Sequence, residues 1–346
     1  MKILVTGASG FLGGRLTRRL LDDGVHDVAV LVRPTSDLSD LGDLSGLDIR
    51  HGDLTDPWSL IEATTGVDAV VHSAARVDER GTRKQFDIEN REATEALLAG
   101  AKAGGASRFV FISSPSALMD YDDGDQLNVD ESTPYPRRYL NLYSETKAAA
   151  ERAVLAAAAD DFVTCALRPR AIWGAGDRSG PIVRLLSRAQ DGKLPNLSGG
   201  KTVYASLCHV GNIVDATLRA LESGQVNGRA YYIADDEVTD VWEYMSEVAG
   251  RFGFSLTDRA VNPRVVEPAV KVLDRVWTIP YLARRVPPPL SMYVLALLTR
   301  SSTFDTTAAR TDLGYRPVVD RETGMAEFIT WVQSSGGLAE LTRGLH

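Results

Sequence analysis

A chain of 346 residues, 44% hydrophobic and 24% charged, is long enough for one large domain with a smaller lobe and carries enough apolar side chains for a substantial core. Its net charge of -8 argues against a broad phosphate-binding surface, because nucleic-acid affinity rests on neutralising phosphates with Lys and Arg; no nucleic-acid partner is expected. Cys165 and Cys208 lie far apart and the histidines are scattered, which leaves neither a disulfide framework nor a ready metal site and fits a reducing, cytoplasmic setting.

In chain order, Ile3 to Thr6 reads as a first strand, since the glycines that follow break the apolar run before a secretory segment could form. Thr6-Gly7-Ala8-Ser9-Gly10-Phe11-Leu12-Gly13 then places glycines at GxxGxxG spacing between that strand and a helix predicted over Phe11 to Leu21. Glycine permits the tight turn and the close approach of a pyrophosphate, whose charge the helix N-terminal amides favour. A second strand spans Val28 to Val32. Positions 32 to 36, Val32-Arg33-Pro34-Thr35-Ser36, contain no carboxylate, so Arg33 suits a 2′-phosphate and NADP(H) is expected, with NAD(H) as the alternative; pairing of Arg33 with nearby Asp37 is the competing reading. Asp53 and Leu54 follow a third strand, and Asp53 is placed to accept a bond from an adenine amino group.

Further strands are predicted at Ala69 to His72, Phe109 to Ile112 and Val163 to Leu167, with helices at Trp58 to Ala63, Lys84 to Ala103 and Tyr143 to Ala159. This alternation predicts an α/β fold, a Rossmann-like doubly wound parallel sheet. Ser113 and Ser114 end one strand at the edge where parallel sheets hold ligands. Ser114 is the candidate to polarise a carbonyl oxygen, with Ser116 second and capping of the Pro115 turn as the structural alternative.

Tyr143-Ser144-Glu145-Thr146-Lys147 puts a phenol and an ammonium on one helical face at i, i+4. A free tyrosine has a pKa of about 10, and a neighbouring cation favours its phenolate, which brings proton exchange toward neutral pH. Lys147 can also hold the nicotinamide ribose. After Trp173 the texture turns to glycine-rich loops, a helix at Ile182 to Ala189, another at His209 to Leu221 and a strand at Ala230 to Ile233. The expected division is therefore interleaved: residues 1–173 and 208–235 for the dinucleotide, 174–207 and 236–346 for a mostly helical substrate lobe.

Between Val261 and Arg300, prolines at 268, 280 and 287 to 289 interrupt apolar residues such as Val272, Trp277, Tyr281 and Leu295, which suggests short helices. These pack the lobe, or line a substrate channel or a membrane-facing lid. The longest apolar run there, Leu290 to Leu298, is well short of the roughly 18–20 residues that span a bilayer. No transmembrane segment is expected, while peripheral membrane contact and pairing into a homodimer stay compatible with the sequence.

Together these residues resemble the extended short-chain dehydrogenase/reductase superfamily, in the branch of 3β-hydroxysteroid dehydrogenases, sterol-4α-carboxylate 3-dehydrogenases and 2-alkyl-3-oxoalkanoate reductases. The resemblance runs on through His72-Ser73-Ala74-Ala75, Asn90 and Thr94, Phe111 to Ser116, Leu167 to Gly174, Ala230 to Ile233 and Leu313 to Pro317. It implies Ser114, Tyr143 and Lys147 in catalysis, and Gly7, Ser9, Gly10, Phe11, Leu12, Gly13, Arg33, Asp53, Leu54, Ala74, Ala75 and Lys147 around the cofactor. ALRPRAIWGAGD, from Ala166 to Asp177, looks most like the oxoalkanoate reductases.

The function implied is an NADP(H)-dependent oxidoreductase that interconverts a 3-oxo and a 3-hydroxy group on a small apolar substrate, with or without a carboxylate. Arg170 is the candidate carboxylate partner, against bonding to loop carbonyls or Asp177. A 3β-hydroxysteroid or sterol dehydrogenase, a sugar-nucleotide epimerase and a non-catalytic NAD(P)-binding sensor are the alternatives. Sugar-nucleotide dehydratases carry an Asp-Glu pair beside the position of Ser114, where this chain has Pro115-Ser116.

Overall fold

In a computed structural model of the chain, the first apolar runs become β1 (Lys2–Thr6), α1 (Phe11–Asp23), β2 (Asp27–Val32), β3 (Leu47–His51), α2 (Pro57–Ala63) and β4 (Ala69–His72). They continue as α3 (Arg83–Phe86), α4 (Ala93–Ala103), β5 (Arg108–Ile112), β6 (Gln126–Val129), α5 (Leu142–Ala156) and β7 (Val163–Pro169). The structure describes residues 1–343 apart from 78, 179, 191–194, 257–259, 286, 287 and 289; Pro287 and Pro289, singled out above, lie outside the described residues.

After β8 (Ile172–Trp173) come α6 (Pro181–Gln190), β9 (Tyr204–Ser206), β10 (Cys208–His209), α7 (Val210–Glu222) and β11 (Arg229–Ile233). β12 (Val238–Asp240), α8 (Val241–Arg251), α9 (Pro263–Trp277), α10 (Pro280–Arg285), α11 (Met292–Thr299) and β13 (Ser302–Phe304) follow. The expected doubly wound sheet is present, seven strands in the order β11-β7-β5-β4-β1-β2-β3, every pair parallel.

Its strands read as unbroken apolar runs because both faces are covered. Ile3 and Val5 pack with Leu16, Val30 and Val71 on one side, while Leu4 packs with Leu60, Val70, Leu97 and Phe109 on the other. The winding reverses between β1 and β4, and the crevice at their carboxyl ends is where such sheets take ligands.

Two features depart from the expected elements. The helix predicted from Lys84 to Ala103 is interrupted by a π-helical turn at Asp87–Glu92, a widening common at functional sites. A second, four-stranded sheet in the order β12-β9-β13-β6 joins β6, which leaves the chain between β5 and α5, to strands from beyond residue 200. Val203, Trp242, Met245, Val270, Met292 and Leu295 pack together beside it, whereas Val265 and Val272 on α9 are exposed. No described helix is long and apolar enough to cross a membrane.

Candidate active site

The glycine loop is built for close approach. Gly7 has a φ of 77°, a region L side chains rarely adopt, and a Cβ there would lie 2.9 Å from Ser73 Oγ. At Gly13 a Cβ would come within 2.2 Å of the Gly7 carbonyl oxygen, so helix α1 can lie against the loop only with glycine there. Gly10 caps that helix without a side-chain hydrogen bond, and no acidic residue occupies its first turn. The helix N-terminal amides are thus left for an anion.

Ser9 and Gly10 are exposed at the tip of the turn, while Phe11 and Leu12 pack partly into the sheet core and Leu54 into the opposite one. Arg33 is exposed and makes no ion pair among the described residues. Asp37 instead accepts from the Ser39 amide at 2.9 Å. Asp53 accepts from the Thr55 amide at 2.8 Å and its hydroxyl at 2.6 Å, bonds from Thr55 that hold its carboxyl below the usual range. The cradle and the free helix end fit the pyrophosphate of a dinucleotide.

A buried relay ties this loop to the helix of Tyr143. His72 Nδ1 lies 2.8 Å from Thr6 Oγ1 and Nε2 lies 3.0 Å from Thr94 Oγ1. Thr94 donates its only hydroxyl proton to the Asn90 carbonyl at 2.6 Å. Nε2 must therefore be the donor, which leaves Nδ1 to accept from Thr6. Thr6 Oγ1 in turn accepts from the amides of Ser73 and Ala74 at 3.2 and 3.1 Å. Asn90, in the π-helical turn, donates to Thr146 Oγ1 at 3.0 Å and accepts from the Arg76 amide at 2.7 Å.

Burial pushes the His72 imidazolium down to about 3, and nearby Lys147 adds to this. The unfolded chain binds a proton below about 6.5 that the folded ring refuses. His72 is therefore expected to cost stability as pH falls from about 6.5 toward 3, by about 2 kcal/mol at pH 5. Urea unfolding at pH 7 and pH 5 measures this. Equal or greater stability at pH 5 would contradict a neutral, buried ring.

At the carboxyl end of β5, the Ser114 hydroxyl lies 2.9 Å from Ser116 Oγ and also accepts from the Ser116 amide at 3.3 Å, so it does cap the turn at Pro115. It stands beside the phenol of Tyr143 as well. Tyr143 lies in the first turn of α5, which Asn141 caps by accepting from the Ser144 amide at 2.8 Å. Burial raises the phenol above its ordinary value, Tyr293 adds to this, and the Ser114 hydroxyl opposes it.

The expectation that a neighbouring ammonium lowers the phenol does not describe this arrangement. Lys147 is 3% exposed, donates to the Ile112 carbonyl at 2.5 Å and sits 3.9 Å above the Phe111 ring. Burial pushes its ammonium down to about 7, against the pull of Glu151 one turn along. Glu151 is fully buried and paired with Arg168 at 2.7 and 3.0 Å, while the Tyr135 hydroxyl donates to it at 2.6 Å.

Arg170 directly follows β7, one strand over from Ser114, and is 7% exposed. Its pairing with Asp177 does not form; Nη1 donates to the Ser302 carbonyl at 3.4 Å and Nε has no partner. Sequence reasoning missed Tyr293 on α11, whose phenol is raised by burial, with Arg170 and the Ser116 hydroxyl opposing the rise and Glu79 adding to it. The only signal was a single phenol within the apolar run Leu290 to Leu298.

Residues 4–264 match the 3-beta hydroxysteroid dehydrogenase/isomerase family. The chain is 33% identical over 330 residues to a 2-alkyl-3-oxoalkanoate reductase of Stenotrophomonas maltophilia, covering 94% of this chain and 97% of that one. It is 31% identical over 345 residues to a 3-beta-hydroxysteroid dehydrogenase of Mycolicibacterium neoaurum, covering 95% and 91%. Among solved structures, MoeE5 in complex with UDP-glucuronic acid and NAD superposes with a TM-score of 0.73 at 24% identity, covering 97% of this chain and 100% of that one, a likeness of fold.

Proposed function

The chain belongs to the 3-beta hydroxysteroid dehydrogenase/isomerase family, and from that premise we propose that it is an NADP(H)-dependent oxidoreductase interconverting a 3-oxo and a 3-hydroxy group on an apolar substrate. What supports this reading is the Tyr143 phenol beside the Ser114 hydroxyl, with Lys147 buried against the Ile112 carbonyl at the same strand end and the glycine cradle of Gly7 and Gly13 in the chain's first turn. Residues 1–173 and 208–235 form the dinucleotide unit in this proposal, and 174–207 and 236–346 the substrate lobe.

The loop from Gly7 to Gly13 would hold the pyrophosphate, Asp53 the adenine, Arg33 the 2′-phosphate and Lys147 the nicotinamide ribose. The bound cofactor supplies or accepts a hydride. Ser114 holds the substrate oxygen by a hydrogen bond that strengthens as negative charge develops. Tyr143, kept protonated by burial, gives its proton to that oxygen during reduction and takes one back in the reverse direction.

Assays with NADPH on 3-oxo acids and their esters, 3-oxosteroids and UDP-sugars test the proposal. Turnover of UDP-sugars alone would replace it with an epimerase. Turnover of steroids alone would move it to the steroid reading, which the Mycolicibacterium relative favours. Cofactor binding without turnover in any class would leave a sensor.

NADPH is expected to be preferred over NADH. A charge-assisted contact contributes about 1.5–3 kcal/mol, and exposure of Arg33 puts it at the lower end, roughly tenfold in kcat/KM. Arg33→Ala is expected to remove most of that ratio. Steady-state kinetics with equal or better efficiency on NADH in the unmutated protein would refute it.

A further inference from the structure

We propose that the outer face of α9 and α10 docks on an anionic lipid surface, with the apolar side chains of the two helices set among the headgroups and a basic edge drawn to their phosphates. Such docking is separate from the oxidoreductase reading above, since it fixes where the molecule sits and not what it turns over.

The fold uses the apolar side chains of α9 in two directions. Val266 and Val270 turn inward and pack with Met292 and Leu295 of α11. Val265, Pro268, Val272 and Val276 recur at spacings of three and four residues, one stripe of a helix, and Ile279 and Tyr281 follow at its end. All six are exposed, Val265 at 73% and Val272 at 63%. Of the fourteen large hydrophobic side chains exposed among the described residues, five fall between 265 and 281, so this is a contiguous patch and not the ordinary scatter of single apolar residues.

The rim of the patch is basic. Arg264, Lys271 and Arg275 each precede one of the exposed valines and so stand along one edge of the stripe, while Arg284 and Arg285 close the end of α10. Lys271 pairs with Glu267 at 2.7 Å and Arg285 donates to the Tyr281 hydroxyl at 2.7 Å; Arg264, Arg275 and Arg284 make no ion pair among the described residues. The other carboxylate of α9, Asp274, is taken up on the inner side, where it accepts from the Met292 amide at 2.9 Å. Residues 263–285 thus hold five basic side chains and two acidic ones in a chain whose net charge is -8. A helix with an open apolar stripe and a cationic edge lies in the plane of a bilayer, where anionic lipid adds attraction to apolar burial. A second copy of the chain would bring the same basic edge to the contact, with no carboxylate to meet it. The docked face is also held to the core, because the Gly81 amide, in the loop that follows β4, donates to the Ala283 carbonyl of α10 at 2.7 Å.

Vesicle flotation tests this with the unmutated protein, Val272→Asp, the double variant Arg275→Ala/Arg284→Ala and a control, Val25→Asp, at a comparably exposed valine between α1 and β2. The vesicles are phosphatidylcholine alone or phosphatidylcholine mixed with phosphatidylglycerol. Binding is expected on the mixed vesicles and is expected to weaken with added salt, which screens exposed charges. Val272→Asp is expected to lower it about ten- to hundredfold, the effect of one apolar side chain withheld from burial, and the double variant about fivefold for each arginine removed. Val25→Asp is expected to bind as the unmutated protein does, and all variants to keep its melting temperature, since only exposed side chains change. Absence of binding by the unmutated protein to either vesicle, or undiminished binding by Val272→Asp, would overturn the docking face. Equal binding to both vesicle types would leave the basic edge without a role and overturn the anionic surface as the partner. Light scattering without lipid addresses the other occupant: a dimer that Val272→Asp turns into a monomer would assign the face to a second copy of the chain instead.

Discussion

Replacing Tyr143 by phenylalanine is expected to lower kcat by about 10²–10⁴-fold, the range that general acid–base catalysis contributes. The ring stays, so packing in the first turn of α5 is preserved and NADPH affinity is expected to move little. What disappears is the phenolic proton beside Ser114, the one proposed to pass to a substrate oxygen. Burial holds that proton on the phenol across neutral pH, the state a reductase requires. Lys147 cannot take over, because its ammonium is turned to the Ile112 carbonyl. Steady-state and single-turnover kinetics with NADPH check this; residual activity above a tenth would assign the proton to another group.

The second large effect concerns stability. Arg168→Leu is expected to destabilise the fold by about 3–5 kcal/mol, because it leaves Glu151 buried without its charge partner. Burial alone would raise the Glu151 carboxyl; the bonds and charge of Arg168 outweigh that and hold it low. A depressed carboxyl gives stability that is present above the ordinary carboxylate range and lost as pH falls through its folded value. In Arg168→Leu the sign reverses, since the unpaired carboxyl tends to take up a proton. The deficit against the unmutated protein is therefore expected to shrink between pH 7.5 and pH 5. Urea unfolding at both values measures it, and a deficit that grows toward pH 5 would mean that Glu151 has found another cation.

The large sheet was legible because its strands are buried on both faces, so runs such as Ile3 to Thr6 and Ala69 to His72 stand out without any alternation. Tyr143 and Lys147 were legible because helical spacing alone puts them on one face. The small sheet was not. Val238–Asp240 and Ser302–Phe304 are too short to carry a period, and their partners are set by tertiary packing. The π-helical turn was hidden for a similar reason, since Asn90 reads as an ordinary helical position until Arg76 and Thr146 are beside it. The direction of the Lys147 side chain depends on the Ile112 carbonyl, a backbone group that no residue pattern reveals.

The small sheet has a bearing on how the molecule is made. Its β6 edge meets β13 across 175 residues, through the Asn128 amide and Thr303 Oγ1. Synthesis proceeds at about 5–20 residues per second, so β6 emerges roughly 9–35 seconds before the strand that covers it. During that interval an edge with open amides and carbonyls is presented to the surrounding cell. Five strands of the parallel sheet, β1 to β5, can already be paired by then. Ribosomal timing thus makes the dinucleotide half a scaffold that waits for its lobe, and the nascent chain is most open to misassociation late in its own production.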